Sequence, residues 1–345
     1  PMQQCRRLRV CREFLRRWLT LWSRYGTLRH LPPSQWRHTC PVTPAIGSGV
    51  LDTVSGTAIC EPVTNWFTAS ARELPWRTPN ASAWGIFVSE VMSQQTPVAR
   101  VAPAWISWMK QWPSPGDLAA ATPAEVIRAW NRLGYPRRAL RLRDAAVMIR
   151  DEFDGQVPAT YDELLTLPGV GDYTAAAVAA FAFNQRVVVL DTNVRRVLAR
   201  LVFGTEHPVN SSATKLERQT AEQLLPTQGR QAAAWSVAVM ELGALVCQSS
   251  SPGCESCPVS TLCAWVAAGK PKLQARAKRP QRFEGTDRQV RGKLMAILRA
   301  SHRPVSATTL RQCWSDDGQR DRCLDSLVAD GLVEPMPRGR FRLPS

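Results

Sequence analysis

Four cysteines crowd into one short stretch in the order Cys247-x6-Cys254-x2-Cys257-x5-Cys263, directly after a helical segment at 235–245. Four thiolates in one loop can reach a single metal centre, and thiolate softness selects iron–sulfur or zinc. The chain has 10 cysteines in all, and the others are scattered. A disulfide framework would spread them evenly through a small secreted domain, so the cluster reads as a metal site in a reducing cytosol. The x2 spacing is shared with zinc ribbons, whereas the full 6-2-5 spacing is far more specific.

Two carboxylates stand in contrasting surroundings, as a division of acid and anion work requires. Glu90 lies inside an apolar helical run, Ile86-Phe87-Val88-Ser89-Glu90-Val91-Met92. Burial there would raise its pKa and keep it protonated; a solvated helical Glu is the bland alternative. Asp191 stands just before a helical run at 193–201, where an N-cap belongs. Backbone N–H groups would hold it ionised, and N-capping alone would also explain an Asp there. Gln94, four residues after Glu90, is expected on the same helix face.

A third signal is Leu167-Pro168-Gly169-Val170-Gly171 between two helical segments. Gly169 and Gly171 permit a tight turn whose N–H groups point outward at a helix start, suited to a phosphate oxygen. This is a helix-hairpin-helix pattern, with Asp191 following Gly171 by 20 residues.

The elements that must position these residues are almost all helical. Apolar residues recur at three- and four-residue spacing over 123–130, 138–151, 161–165 and 173–183, and 186–190 is at most a short β run. Residues 1–60 form a basic extension expected to be poorly ordered, with one helix around 10–22. A basic linker, 269–285, leads to helical patterns at 290–300, 306–314 and 321–330 and a β wing at 332–343, like a winged helix. Asp321, Asp325 and Asp330 on its third helix oppose groove reading, so 286–345 is expected to be a packing or partner module. Lys plus Arg number 44 against 28 Asp plus Glu, a net charge of +16 at a length of 345 residues, which suits a polyanionic partner. No apolar stretch is long enough to span a membrane, and no secretory leader pattern opens the chain.

Taken together, the residues resemble a known family. The cysteine spacing resembles the [4Fe–4S] loop of the endonuclease III superfamily of DNA glycosylases. Within it, the chain is similar to adenine DNA glycosylases of the MutY type. The resemblance is carried by Leu74-Pro75-Trp76-Arg77, Val88 to Thr96, Leu133-Gly134-Tyr135, Leu167 to Thr174, Leu190 to Val194 and Glu241 to Cys247, and it covers about residues 61–268.

The resemblance implies an all-α, two-lobed fold: a six-helix domain at 76–186 with the hairpin, and an iron–sulfur domain at 61–75 and 187–268. It implies a [4Fe–4S] cluster on Cys247, Cys254, Cys257 and Cys263, and a monomer acting on double-stranded DNA that carries an adenine mispair, in a cytoplasmic, nucleoid-associated setting. The implied reaction is hydrolysis of the N-glycosidic bond of adenine opposite 8-oxoguanine or guanine, in base excision repair. Glu90 would protonate adenine N7, Asp191 would stabilise the sugar cation, and Asn193 would be a polar helper. Tyr173 stands where bifunctional relatives carry a Lys, so the strand would be left intact. Gln94 would fill the space of the flipped base and Tyr135 would wedge beside the opposite base. Trp76, Arg77 and Glu241 would line the adenine pocket.

The chain departs from the family pattern at Ser93, at Pro136 and in the loop Gln248 to Gly253, which has no Lys or Arg. The residues after Lys270 are too few for a Nudix-like domain that recognises 8-oxoguanine. Two other readings stay open: a thymine or uracil mismatch glycosylase, and a noncatalytic iron–sulfur DNA-binding protein.

Overall fold

The computed structural model describes residues 56–272 and 283–345. Residues 1–55 of the expected basic extension, including the helix expected at 10–22, and most of the linker lie outside the described residues, while 56–60, expected to be poorly ordered, open a helix that buries Ile59.

Helix α1 (Gly56–Ser70) is followed by α2 (Ala83–Ser93), α3 (Val98–Gln111), α4 (Pro115–Ala120), α5 (Pro123–Trp130), α6 (Arg137–Glu152), α7 (Tyr161–Thr166) and α8 (Asp172–Phe183). Then come α9 (Thr192–Leu201), α10 (Lys215–Leu224), α11 (Gly229–Leu245) and the short α12 (Ala264–Ala267). Several starts are set by local chemistry. Ser114 with Asp117, Thr122 with Glu125, Thr160 with Glu163 and Thr214 with Glu217 each form a reciprocal capping box that satisfies orphan N–H groups. Pro at the first helical position of α4 and α5 supplies a suitable φ where no donor is needed.

Helices α2 to α8 enclose one core, in which Phe87, Met92, Trp108, Trp130, Leu142, Ile149 and Leu164 are buried. Helix α1 contributes Ile59 and Val63 to a second core, with Val194 and Leu198 of α9 and Trp235 and Leu242 of α11. A seam of small residues joins the two: Ala176, Ala177 and Ala180 of α8 pack with Val189 and Ala233. Such short side chains let α8 lie close to α2 and α11, the elements that carry the site. The approach of α9 to α11 is tighter still: a Cβ on Gly243 would come within 2.7 Å of Asn193 Cβ. Residues 186–190, at most a β run by sequence, form no strand.

The C-terminal region runs α13 (Asp287–Ala300), β1 (Val305–Ser306), α14 (Ala307–Arg311), α15 (Asp317–Ala329), β2 (Glu334–Met336) and β3 (Arg340–Arg342). The strands form an antiparallel sheet in the order β1-β3-β2, with Val305 opposite Phe341 and Glu334 opposite Arg342. This is helix, strand, two helices and a β-hairpin, the order of a winged helix. Helix α14 stops at Arg311, short of the 314 expected from its pattern. Val290, Leu294, Leu298, Leu310, Leu324 and Leu327 make its core, which also takes in Ile127 of α5. Among the described residues no helix is long and apolar enough to cross a membrane.

Candidate active site

Glu90 is buried on α2, held between the first core and the α8–α11 seam. Tyr173, in the first turn of α8, donates its hydroxyl to Glu90 Oε2 at 2.9 Å. Burial pushes the Glu90 carboxyl up to about 7, with the nearby Asp191 adding to it and the Tyr173 hydroxyl and Arg77 holding it back. A carboxyl raised this far can carry a proton close to neutral pH. The sequence expectation of a raised pKa rests on the same apolar surroundings.

Asp191 caps α9, accepting from Val194 N at 2.6 Å through Oδ1 and from Asn193 Nδ2 at 2.7 Å through Oδ2. Its pKa nonetheless lies above the ordinary value, because burial outweighs these bonds and the Arg196 charge. The cap bonds favour the anion, as expected from the sequence, and burial opposes them. Asn193 Oδ1 in turn accepts from Arg196 Nη2 at 2.8 Å, and Arg196 Nε donates to Cys247 O at 2.8 Å. The cap and the first cysteine are thus tied through two side chains.

Glu90, Asp191, Tyr173, Asn193, Trp76, Arg77 and Glu241 line a single cavity of about 580 Å³. Trp76 forms part of its wall and meets Trp105 edge-on at 5.9 Å. Glu241 lines the cavity and is also tied to two arginines. Both its oxygens are occupied: Arg72 donates through Nε at 2.6 Å and Nη2 at 2.8 Å, and Arg77 through Nη2 at 2.9 Å. Burial raises its pKa, but the two guanidiniums overcome this and hold it at about 2. Glu241 is therefore an anchor that orients Arg77, whose Nη1 is buried without a protein partner. Sequence reasoning missed Arg72; its only signal was a basic residue shortly before the Leu74-Pro75-Trp76-Arg77 motif.

A larger groove of about 1320 Å³ runs past the cavity and shares Ser93, Thr96, Pro97, Tyr173, Asp191 and Asn193 with it. Gln94 lines the groove and not the cavity. It is the C-cap of α2, where the backbone leaves the helix four residues after Glu90. Its Nε2 donates to Thr174 Oγ1 at 3.0 Å, which holds it against the start of α8.

In the hairpin, Gly169 has φ +79, and an added Cβ would lie 2.8 Å from Arg141 Cβ. Both facts require glycine there. Gly171 has extended backbone and open space where a Cβ would be, so the turn itself does not demand glycine. Tyr135 lies outside both cavities, is 47% exposed and has φ +47. Arg138, also unmarked by sequence, braces this loop. It donates to Val91 O at 3.0 Å, Met92 O at 3.2 Å, Gln94 O, Gly134 O at 3.1 Å and Thr96 Oγ1 at 3.0 Å.

Cys247, Cys254, Cys257 and Cys263 line one small cavity with Arg200 and Trp265. Arg200 is buried, donates from Nη1 to Cys247 Sγ at 3.3 Å and stacks over the Trp265 ring at 4.8 Å. Among the described residues no three His, Cys, Asp or Glu side chains close in on a point as a single ion needs. Four soft donors around a shared space nonetheless suit a thiolate-bound metal centre, iron–sulfur or zinc.

The base excision DNA repair superfamily HhH-GPD matches residues 88–226. An adenine DNA glycosylase of Mycolicibacterium smegmatis (strain ATCC 700084 / mc(2)155) is 52% identical over 280 residues, spanning 81% of this chain and 94% of that protein. The chain belongs to the adenine DNA glycosylase family. Likeness to that adenine DNA glycosylase reaches further than the stretch about 61–268 that the motifs mark, since 280 residues do not fit within it. Two solved structures extend the comparison from sequence to fold. A thermostable thymine-DNA glycosylase is 25% identical with a TM-score of 0.57, covering 62% of this chain and 97% of that one. An endonuclease III in a non-covalent DNA complex is 26% identical with a TM-score of 0.53, covering 63% and 98%. The all-α glycosylase fold expected from the motifs is the fold observed.

Proposed function

We propose that this chain is a monofunctional glycosylase that hydrolyses the N-glycosidic bond of adenine mispaired with 8-oxoguanine or guanine, in base excision repair. It binds double-stranded DNA along the groove, with Gly169 and Gly171 offering hairpin N–H groups to a phosphate. Open space over Gly171 suits close approach of a strand. The adenine is turned out of the stack into the cavity, against Trp76 and the free Arg77 Nη1, while Gln94 and Tyr135 occupy the space left in the duplex.

The division of labour follows from the two carboxyls. Tyr173 engages Glu90 Oε2, which leaves Oε1 to carry the proton towards adenine N7. As the base leaves, positive charge grows on the sugar and favours ionised Asp191, which the Val194 and Asn193 donors keep in place. Water completes the hydrolysis. No lysine lines the cavity or the groove among the described residues, so nothing there can trap the sugar as an imine. The single observation that carries this reading is that Glu90, Tyr173 and Asp191 share one cavity without an amine.

Cys247, Cys254, Cys257 and Cys263 would hold a [4Fe–4S] cluster, whose part is to fasten the loop 247–263 beneath α9. The 61–75 and 187–268 segments then act as one domain and 76–186 as the other, in a chain that works as a monomer in the cytoplasm.

The test is a panel of oligonucleotide duplexes varying both bases, analysed with and without alkali. The expected result is adenine release opposite 8-oxoguanine and guanine, with strand breaks only after alkali. Breaks without alkali, or release of thymine or uracil opposite guanine instead of adenine, would overturn the reading.

A further inference from the structure

The C-terminal module takes no part in the chemistry, yet it is fastened to the stretch that carries Tyr135. Ile127 of α5 lies in the module's core, with Ala124 and Leu140 packed against it. Arg128 Nη2 donates to Ser301 O at 3.1 Å, and Arg299 Nη1 donates to Asn131 O. Asp330 accepts from Arg137 Nη1 at 3.1 Å and from Arg291 Nη2 at 2.5 Å, so this acid serves docking.

One arginine at this junction has no such duty. Arg288, in the first turn of α13, is exposed and has neither an ion pair nor a hydrogen bond among the described residues. Its guanidinium lies 5.3 Å from the centre of the Tyr135 ring, while that of Arg138 lies 5.6 Å from the same ring. Arg138 is spent on backbone carbonyls; Arg288 keeps all its N–H donors. A guanidinium stacked on an aromatic ring still presents its edge to an acceptor in front of the ring.

We propose that Arg288 is a DNA-contact residue supplied by the C-terminal module, donating to the nucleotide opposite the excised adenine, beside Tyr135. The inference rests on the proposed function only in taking Tyr135 to face that nucleotide. The acceptor has one chemistry, an electron-rich oxygen, and two sources: a backbone phosphate or the edge of a guanine-type base. By this route a module far smaller than a Nudix-like domain takes part in recognising the opposite strand.

The full chain is compared with its Arg288→Ala and Arg288→Lys variants, binding duplexes with a non-cleavable 2′-fluorinated deoxyadenosine opposite 8-oxoguanine, guanine or cytosine. Arg288→Ala should weaken binding roughly ten-fold. An equal loss on all three duplexes, with a salt slope shallower by about 1 and rescue by Lys, identifies a phosphate. A loss confined to the two guanine-type duplexes and not rescued by Lys identifies the base edge. Affinities within about two-fold of wild type on all three would overturn the inference. Across the docking contact Arg288 holds only the exposed Tyr135 ring, so the melting temperature should move little. Failure of the unaltered chain to release adenine sinks the proposed function and leaves these binding measurements readable.

Discussion

The cavity around Glu90 and the loop around Tyr135 are joined by Arg138, yet they treat solvent in opposite ways. Glu90 is buried, touched by one hydroxyl, and its carboxyl is raised to about 7 because burial disfavours the charged form. Tyr135 stands out of the surface on a left-handed backbone, flanked by two guanidiniums. The difference follows from the tasks. A proton donor at neutral pH must be desolvated, whereas a group that enters a duplex must meet it from outside. Arg138 fixes the distance between the two by bonding carbonyls at the end of α2 and at Gly134 together.

The sharpest way to break this contrast is Glu90→Gln, which keeps the shape and removes the transferable proton. Single-turnover adenine release should fall roughly 10²–10⁴-fold with duplex affinity preserved. A rate near wild type would put the acid elsewhere. Next in size is Glu241→Ala, which strands Arg72 and Arg77. Urea denaturation should show a loss of about 3 kcal/mol, the low end for a broken buried pair because Arg72 is partly exposed.

The pH dependence sharpens the contrast further. Glu90 must be protonated to act, so the rate should fall above about 7, and it should fall again on the acid side as Asp191, itself raised above its ordinary value, takes up a proton. Tyr173→Phe removes a bond that favours the Glu90 anion, and the alkaline fall should then move to higher pH. Stability carries the same sign. A folded-state pKa raised above the ordinary 4.5 gives a contribution fully present below that value and lost as pH rises through about 7. Denaturation of wild type against Glu90→Gln at acid and alkaline pH measures it, and no difference in their pH slopes would contradict burial as the cause. The smallest effect belongs to the exposed end. Tyr135→Ala should weaken binding by about 1–2 kcal/mol in a titration of mispaired duplex, and leave the pH profile in place.

Much of the site was legible in residue types and spacing. The apolar neighbours of Glu90 foretold its burial, the helical run after Asp191 foretold its cap, and 6-2-5 spacing foretold four cysteines around one space. Positions governed by contacts distant in sequence were not legible. Glu241 was expected in the adenine pocket and lines the cavity, but its pairing with Arg72 and Arg77, 169 and 164 residues away in the chain, comes only from folding. Gln94 was placed on the Glu90 face by helical spacing, but its bond to Thr174, 80 residues on, depends on the fold. Asp330 read as an obstacle to DNA and proved to be a docking acid, since Arg137 and Arg291 converge on it.

By itself the amino-acid sequence determined the helical class, the family and which side chains could do chemistry. Those depend on local periodicity, capping and spacing, which neighbours along the chain dictate. The tertiary structure alone decided the proton state of Glu90, the rise in Asp191, the capture of Glu241 and the placing of Arg288 on Tyr135. Desolvation and charge pairing are set by what surrounds a group in space, and for these residues the surroundings come from segments that meet only when the chain is folded.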